Sequence, residues 1–238
     1  MIKFFRKIRQ KLFSEGKTGN YLKYAIGEVI LVMIGILLAL QVNNWNENRK
    51  VQKEIREIYN QIIFELDNDI DELSENLNMY ESIKSVFDNV VSDSRTVDLL
   101  DDGLSRIIAS SPNTVLNKSG VERLRTISVN DSLSLKVIEM YESLEWFIRI
   151  EQTISESQRL IVINYKDNYS WYPEWINKRI TKENSSQELQ DYFVNSQEYR
   201  HNVIYSYQQV YNRYVPRLRR SIPQIKQIRN ELQNAINK

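Results

Sequence analysis

The stretch YAIGEVILVMIGILLALQVNNW, Tyr24 to Trp45, decides the architecture. From Tyr24 to Val42 it runs 19 residues with a single charge, Glu28. As a helix it extends about 28 Å at ~1.5 Å per residue, close to the roughly 30 Å hydrocarbon thickness of a bilayer. A helix of a soluble core would keep a polar face, and this run has none. Eleven of its residues are Ile, Leu or Val. At ~0.3–0.6 kcal/mol each they outweigh one carboxylate, whose cost is at most a few kcal/mol and falls toward the end of a span. The run is predicted to cross a membrane.

Working outward, the N-terminal side is basic. Residues 1–23 carry seven Lys and Arg (Lys3, Arg6, Lys7, Arg9, Lys11, Lys17 and Lys23), against three in residues 43–53 (Arg49, Lys50 and Lys53). The positive-inside rule then places the N-terminus in the cytoplasm and everything after Trp45 on the far side. Cleavage as a secretion signal needs small residues at −3 and −1, and Ala39 followed by Gln41 does not supply them. The segment therefore reads as an uncleaved signal-anchor. Trp45, Tyr21 and Tyr24 sit at the two ends, as interfacial aromatics do.

Within the span, Ala25, Glu28, Val32, Gly35, Ala39 and Val42 follow a 3, 4, 3, 4, 3 spacing, one heptad seam that collects the charge and most small residues. Small residues so placed let two backbones approach, and intramembrane carboxylates usually face protein. Two readings stay open. The seam is a helix–helix interface, or Glu28 snorkels to the head groups near Lys23. In the 1–23 stub, Ile2, Phe5, Ile8 and Leu12 alternate with Lys3, Arg6, Lys7, Arg9 and Lys11, a short basic amphipathic helix expected on the inner membrane surface. Twenty-three residues leave no room for a cytoplasmic catalytic domain.

The division expected is a stub over 1–23, a membrane helix over 24–43, and an all-α extracytoplasmic bundle over 44–238 with about four longer helices and shorter ones between. Ile55, Tyr59, Ile62, Leu66, Ile70, Leu73, Leu77 and Tyr80 form an apolar stripe on a helix predicted over 46–91. A short helix is predicted over 97–110 and another over 121–127. Asp131 is a candidate N-cap for a helix from Ser132 to about Tyr165. Residues 166–175 read as a loop. Ser185 with Glu188 fits a capping box. The last helix should be kinked or divided at Pro216 and Pro223.

Charge is unevenly laid out. Residues 54–102 hold fourteen Asp and Glu against three Lys and Arg, and residues 200–238 hold eight Lys and Arg against one Glu. The first and last long helices are expected to lie antiparallel and attract.

Little points to catalysis. There is one histidine, His201, and no cysteine, which removes ordinary zinc sites and nucleophilic triads. Asp67, Asp69 and Asp71 have calcium-loop spacing but lack the turn glycine, and they read as a solvated acidic face. No cofactor, metal, nucleic acid or small-molecule substrate is indicated, and no enzymatic activity is expected. Tyr165, Trp171, Trp175, Tyr207, Tyr211 and Tyr214 form an aromatic concentration, read either as bundle core or as a ligand or partner surface.

MIKFFRKIRQKL, IGEVILVMIGILLALQVNNWNE, SGVERLRTI and LSLKVIEMYE resemble a family of single-pass membrane proteins of Gram-negative bacteria, catalogued as a domain of unknown function. The likeness is most specific in the first fifty residues and includes the Gly27–Glu28 pair. It implies an inner-membrane, periplasm-facing helical protein, and no activity, cofactor or catalytic residue. The function expected is a membrane-anchored scaffold or accessory protein in the bilayer, forming a homo-oligomer or docking on another inner-membrane protein. A periplasmic ligand-sensing bundle is the alternative.

Overall fold

The computed structural model describes residues 18–127, 131–177 and 179–237. Among them the regular structure is helical throughout and contains no strand. The chain divides into two compact units, Met1–Arg56 and Glu57–Lys238. Helix α1 (Thr18–Ser82) gives its first part to the first unit and its last part to the second. In the first unit the apolar run is uncovered: Ile26, Leu31, Leu37, Leu40 and Val42 are each at least half exposed. It is the one described helix long and apolar enough to cross a membrane.

The second unit is built on three long helical runs rather than the four expected. They are the last part of α1, then α4 (Ser132–Asn168), then a C-terminal run. That run comprises α7 (Gln197–Gln209), a π-helical turn (Val210–Tyr214) and α8 (Val215–Ile236). The shorter helices are α2 (Lys84–Val91), α3 (Ser119–Thr126), α5 (Tyr172–Asn177) and α6 (Gln187–Asn195). Contacts fix the directions. Tyr59 meets Ser134 (2.9 Å) and Asp69 faces Tyr141, so α1 and α4 run parallel. Lys136 meets Glu231 and Phe147 packs on Tyr214, so the C-terminal run is antiparallel to α4. Parallel neighbours need a long crossover, and residues 83–131 supply it.

The stripe on α1 packs as its spacing predicts: Ile55, Tyr59, Ile62, Leu66, Ile70, Leu73 and Tyr80 are buried and Leu77 is half-buried. Charge also organises the bundle as expected. Arg229 pairs with Asp67 (2.9 Å) and Arg219 with Glu81 (2.9 Å), so ascending α1 numbers meet descending α8 numbers. Asp131 caps α4, accepting the N–H groups of Leu133 and Ser134, both at 2.9 Å.

Several elements depart from the sequence reading. The 46–91 helix breaks at Ile83. Ser82 Oγ there donates to the Met79 carbonyl (2.7 Å), and the turn lets α2 bury Val86, Phe87 and Val90. Residues 97–110 form a 3-10 turn (Val97–Leu100) followed by turns, because Gly103 takes φ 93°, outside helical space. The aromatic 166–175 stretch is not all loop: α4 continues to Asn168 and Tyr172 opens α5. The cap of α6 is Ser186, which accepts the Leu189 N–H, while Glu188 accepts from Ser170 Oγ (2.7 Å) instead of closing a capping box. Pro223 lies within α8 without dividing it. Pro216 follows the π-helical turn, whose wider i→i+5 bonding (Val215 N–H to Val210 C=O) accommodates the missing proline donor.

Candidate functional site

The seam residues sit on an open helix. Val32, Gly35 and Ala39 are exposed, and Ala25 and Glu28 are half-buried. A Cβ added at Gly27 or Gly35 would meet nothing within 4 Å, so a second backbone has room to approach. At the end of the run Trp45 is 64% exposed, with the Arg49 guanidinium 5.8 Å from its ring centre. That cation–aromatic pair suits a membrane–water boundary. The stub residues Lys3, Arg6, Lys7, Arg9 and Lys11 lie outside the described residues, as do the side chains of Tyr21 and Tyr24.

The aromatic concentration divides into two clusters. Tyr165, Tyr169, Trp171, Trp175, Tyr192, Phe193 and Tyr199 pack around α4–α6, with Tyr165 5.1 Å from Trp171 and 5.3 Å from Trp175 between ring centres. Most of these contacts are edge-to-face, the preferred geometry for aromatic quadrupoles. Hydrogen bonds fasten the 100–110 turns to this cluster: Trp175 Nε1 donates to Ser105 C=O (2.9 Å), and Tyr199 Oη donates to Leu104 C=O. In the second cluster Tyr80, Phe87, Phe147, Tyr207, Tyr211 and Tyr214 meet at the π-helical turn. There Tyr211 Oη donates to Tyr80 C=O (2.7 Å), and Tyr214 Oη donates to Glu151. Tyr165, Trp171, Trp175, Tyr211 and Tyr214 are buried and Tyr207 is half-buried. Burial pushes the hydroxyls of Tyr165 and Tyr214 far above the ordinary tyrosine range. These rings fill the interior, and of the six only Tyr207 offers appreciable surface.

The most organised polar feature is an extended segment, Ser111–Gly120, that runs antiparallel to α1. Its residues alternate outward and inward: Pro112, Thr114 and Leu116 are buried between exposed Ser111, Asn113, Val115 and Asn117. Four carboxylates take its main-chain N–H groups. Glu72 accepts from Val115 (3.0 Å), Asp69 from Asn117 (3.4 Å) and Glu65 from Gly120 through both oxygens (3.0 Å each). Glu151 on α4 accepts from Thr114 N–H (2.8 Å) and its hydroxyl (2.6 Å). Gly120 is required by the closeness of this contact, since a Cβ there would lie 2.5 Å from Ile62 Cγ1 and 2.8 Å from Glu65 Oε2. Beside the segment, Asn113, Thr114, Ile148, Glu151 and Gln152 line a groove of about 580 Å³.

This cluster corrects the solvated-face reading of the aspartates. Asp67 and Asp71 are exposed, but Asp69 is 1% exposed and holds the segment. A signal was present: Leu66, Asp69 and Leu73 follow 3, 4 spacing and share the core stripe. Burial raises the Asp69 pKa to about 7, against the opposing Asn117 amide, with Glu72 and Glu65 adding to the rise.

Residues 28–144 match the model of a family of unknown function (DUF6090). The matched stretch holds the seam from Glu28 onward, all four carboxylate-bound segment amides and Gly120, and it ends before the Tyr165–Tyr199 aromatic cluster. Neither a curated protein nor a solved structure matches the chain.

Proposed function

We propose that this protein is a non-enzymatic scaffold or accessory subunit of the bacterial inner membrane, crossing it once. Its N-terminal stub lies in the cytoplasm and its helical domain in the periplasm. It associates with a second copy or with another inner-membrane protein through Ala25, Glu28, Val32, Gly35 and Ala39.

The observation that carries this reading is the uncovered apolar run of α1, exposed along its length and flanked by unequal positive charge. A soluble fold would not leave so large a surface in water, where each Å² of exposed apolar area costs roughly 25 cal/mol. Lipid covers most of the run, and the seam of small residues around Glu28 is where protein replaces lipid. The sensing alternative draws less support, because the rings that would line its pocket already pack on one another.

Crosslinking in native membranes tests the seam. Glu28→Leu and Gly35→Leu should each reduce recovery of the crosslinked oligomer or partner. Unchanged recovery for both would reject the seam, and release of the wild type by carbonate extraction would reject the membrane reading altogether.

A further inference from the structure

On α1, Glu65 and Asp69 occupy successive turns and are both almost fully buried, at 2% and 1% exposure. Among the described residues neither makes an ion pair, and the cations flanking them are engaged elsewhere. Lys118 pairs with Glu145 (2.8 Å), Arg229 with Asp67 (2.9 Å), and Arg123 donates to Gln61 (2.7 Å). Two carboxylates four residues apart in a helix, removed from water and without a cation, do not both ionise at low cost, so one keeps a proton near neutrality.

Hydrogen bonding decides which one. Glu65 accepts Gly120 N–H through both oxygens and Gln61 Nε2 at 2.8 Å. Asp69 has one long bond, from Asn117 N–H at 3.4 Å. Its Oδ2 is buried without a hydrogen-bond partner, and so is the hydroxyl of Tyr141, which faces it from α4. The other groups facing Asp69 are Glu65 and Glu72 on its own helix, and both repel a charge there.

We propose that Asp69 is a proton-operated latch for the segment Ser111–Gly120: protonated, it lies closed beneath Asn117, and when it ionises the segment lifts to hydrate the charge. Lifting uncovers the inward residues Pro112 and Leu116 and frees the Thr114 wall of the groove beside Glu151. The closed form holds the Asp69 proton more tightly than the open form, as its pKa of about 7 against 3.8 for a free side chain requires. Closure is therefore strongest in acid, weakens as pH rises toward 7 and levels off above it. The latch does not depend on what the membrane seam binds.

Hydrogen–deuterium exchange of the full chain in nanodiscs reads the latch directly. After correction for intrinsic exchange, protection of peptides covering 111–120 should fall about tenfold between pH 6 and pH 8.5, relative to peptides of α4. In Asp69→Asn the profile should be flat. A flat wild-type profile, or a parallel fall in wild type and Asp69→Asn, would overturn the proposal. Should Asp69→Asn fail to fold, Tyr141→Phe serves. Loss of a hydroxyl that favours the ionised form should move the wild-type fall to higher pH, and an unmoved fall counts against the latch.

Discussion

Replacing Gly120 with alanine should destabilise the second unit far more than its one added methyl group suggests. The new Cβ would sit 2.5 Å from Ile62 Cγ1, 2.8 Å from Glu65 Oε2 and 3.3 Å from the Ile62 main-chain nitrogen. Ile62 is fully buried, so it cannot yield into solvent, and forcing extra volume into a filled core costs about 1–3 kcal/mol. If Glu65 swings aside instead, a buried carboxylate loses both bonds to the Gly120 amide, and bonds to charged groups contribute ~1.5–3 kcal/mol. Alanine is the better helix former by ~0.5–1 kcal/mol, which offsets part of the loss in α3. The net destabilisation is about 2–4 kcal/mol, a fall in Tm of roughly 5–15 °C for a unit of this size. Thermal unfolding of the full chain in detergent, followed by near-ultraviolet circular dichroism of its buried tyrosines and tryptophans, measures it. Gly35→Ala, whose Cβ meets nothing within 4 Å, is the control and should leave this transition in place. Gly120→Ala unfolding within 1 °C of wild type would refute the account of this contact.

Asp69→Asn should raise unfolding stability by up to about 4 kcal/mol at pH 8 and by less than about 1 kcal/mol near pH 4, because only the ionised carboxylate is penalised; urea titrations at the two pH values, with an equal gain at both, would contradict this. Asp131→Ala removes the cap of α4 and the side-chain bond to Ser134 Oγ (2.6 Å), and chemical denaturation should show a loss of about 1–2 kcal/mol. A double-mutant cycle on Asp67 and Arg229 should return a coupling below about 1 kcal/mol, diminishing with salt, since both side chains are partly exposed.

Periodicity and charge pattern made the long helices legible. The stripe from Ile55 to Tyr80 needed only 3.6-residue spacing, and the opposed charges of 54–102 and 200–238 announced the Asp67–Arg229 and Glu81–Arg219 pairs. The crossover resisted reading because distant bonds shape it. Nothing local in SSPNTVLNKSG states that four carboxylates from two helices will take its amides. The cap of α6 shifted by one residue for a similar reason: Ser170 engages Glu188, a tertiary contact that a capping-box motif cannot foresee. Asp69 was misjudged by residue type, since an aspartate at a core position reads as solvent-facing until its neighbours are placed. Tyr165, Trp171 and Trp175 were visible as a group, and their burial depended on α5, which the loop reading of 166–175 had missed.

The widened turn at Val210–Tyr214 sets the angular phase of everything after it. An α-helix rotates about 100° per residue, so deleting one residue there would return the backbone to regular winding and swing α8 by that angle. Arg219 and Arg229 would then point away from Glu81 and Asp67, and Leu218 and Ile225 would leave the interior. Length between Gln209 and Pro216 is thus under tighter control than composition: a substitution at an outward position such as Asn212 should pass unnoticed, whereas the loss of a single residue would unship the last helix.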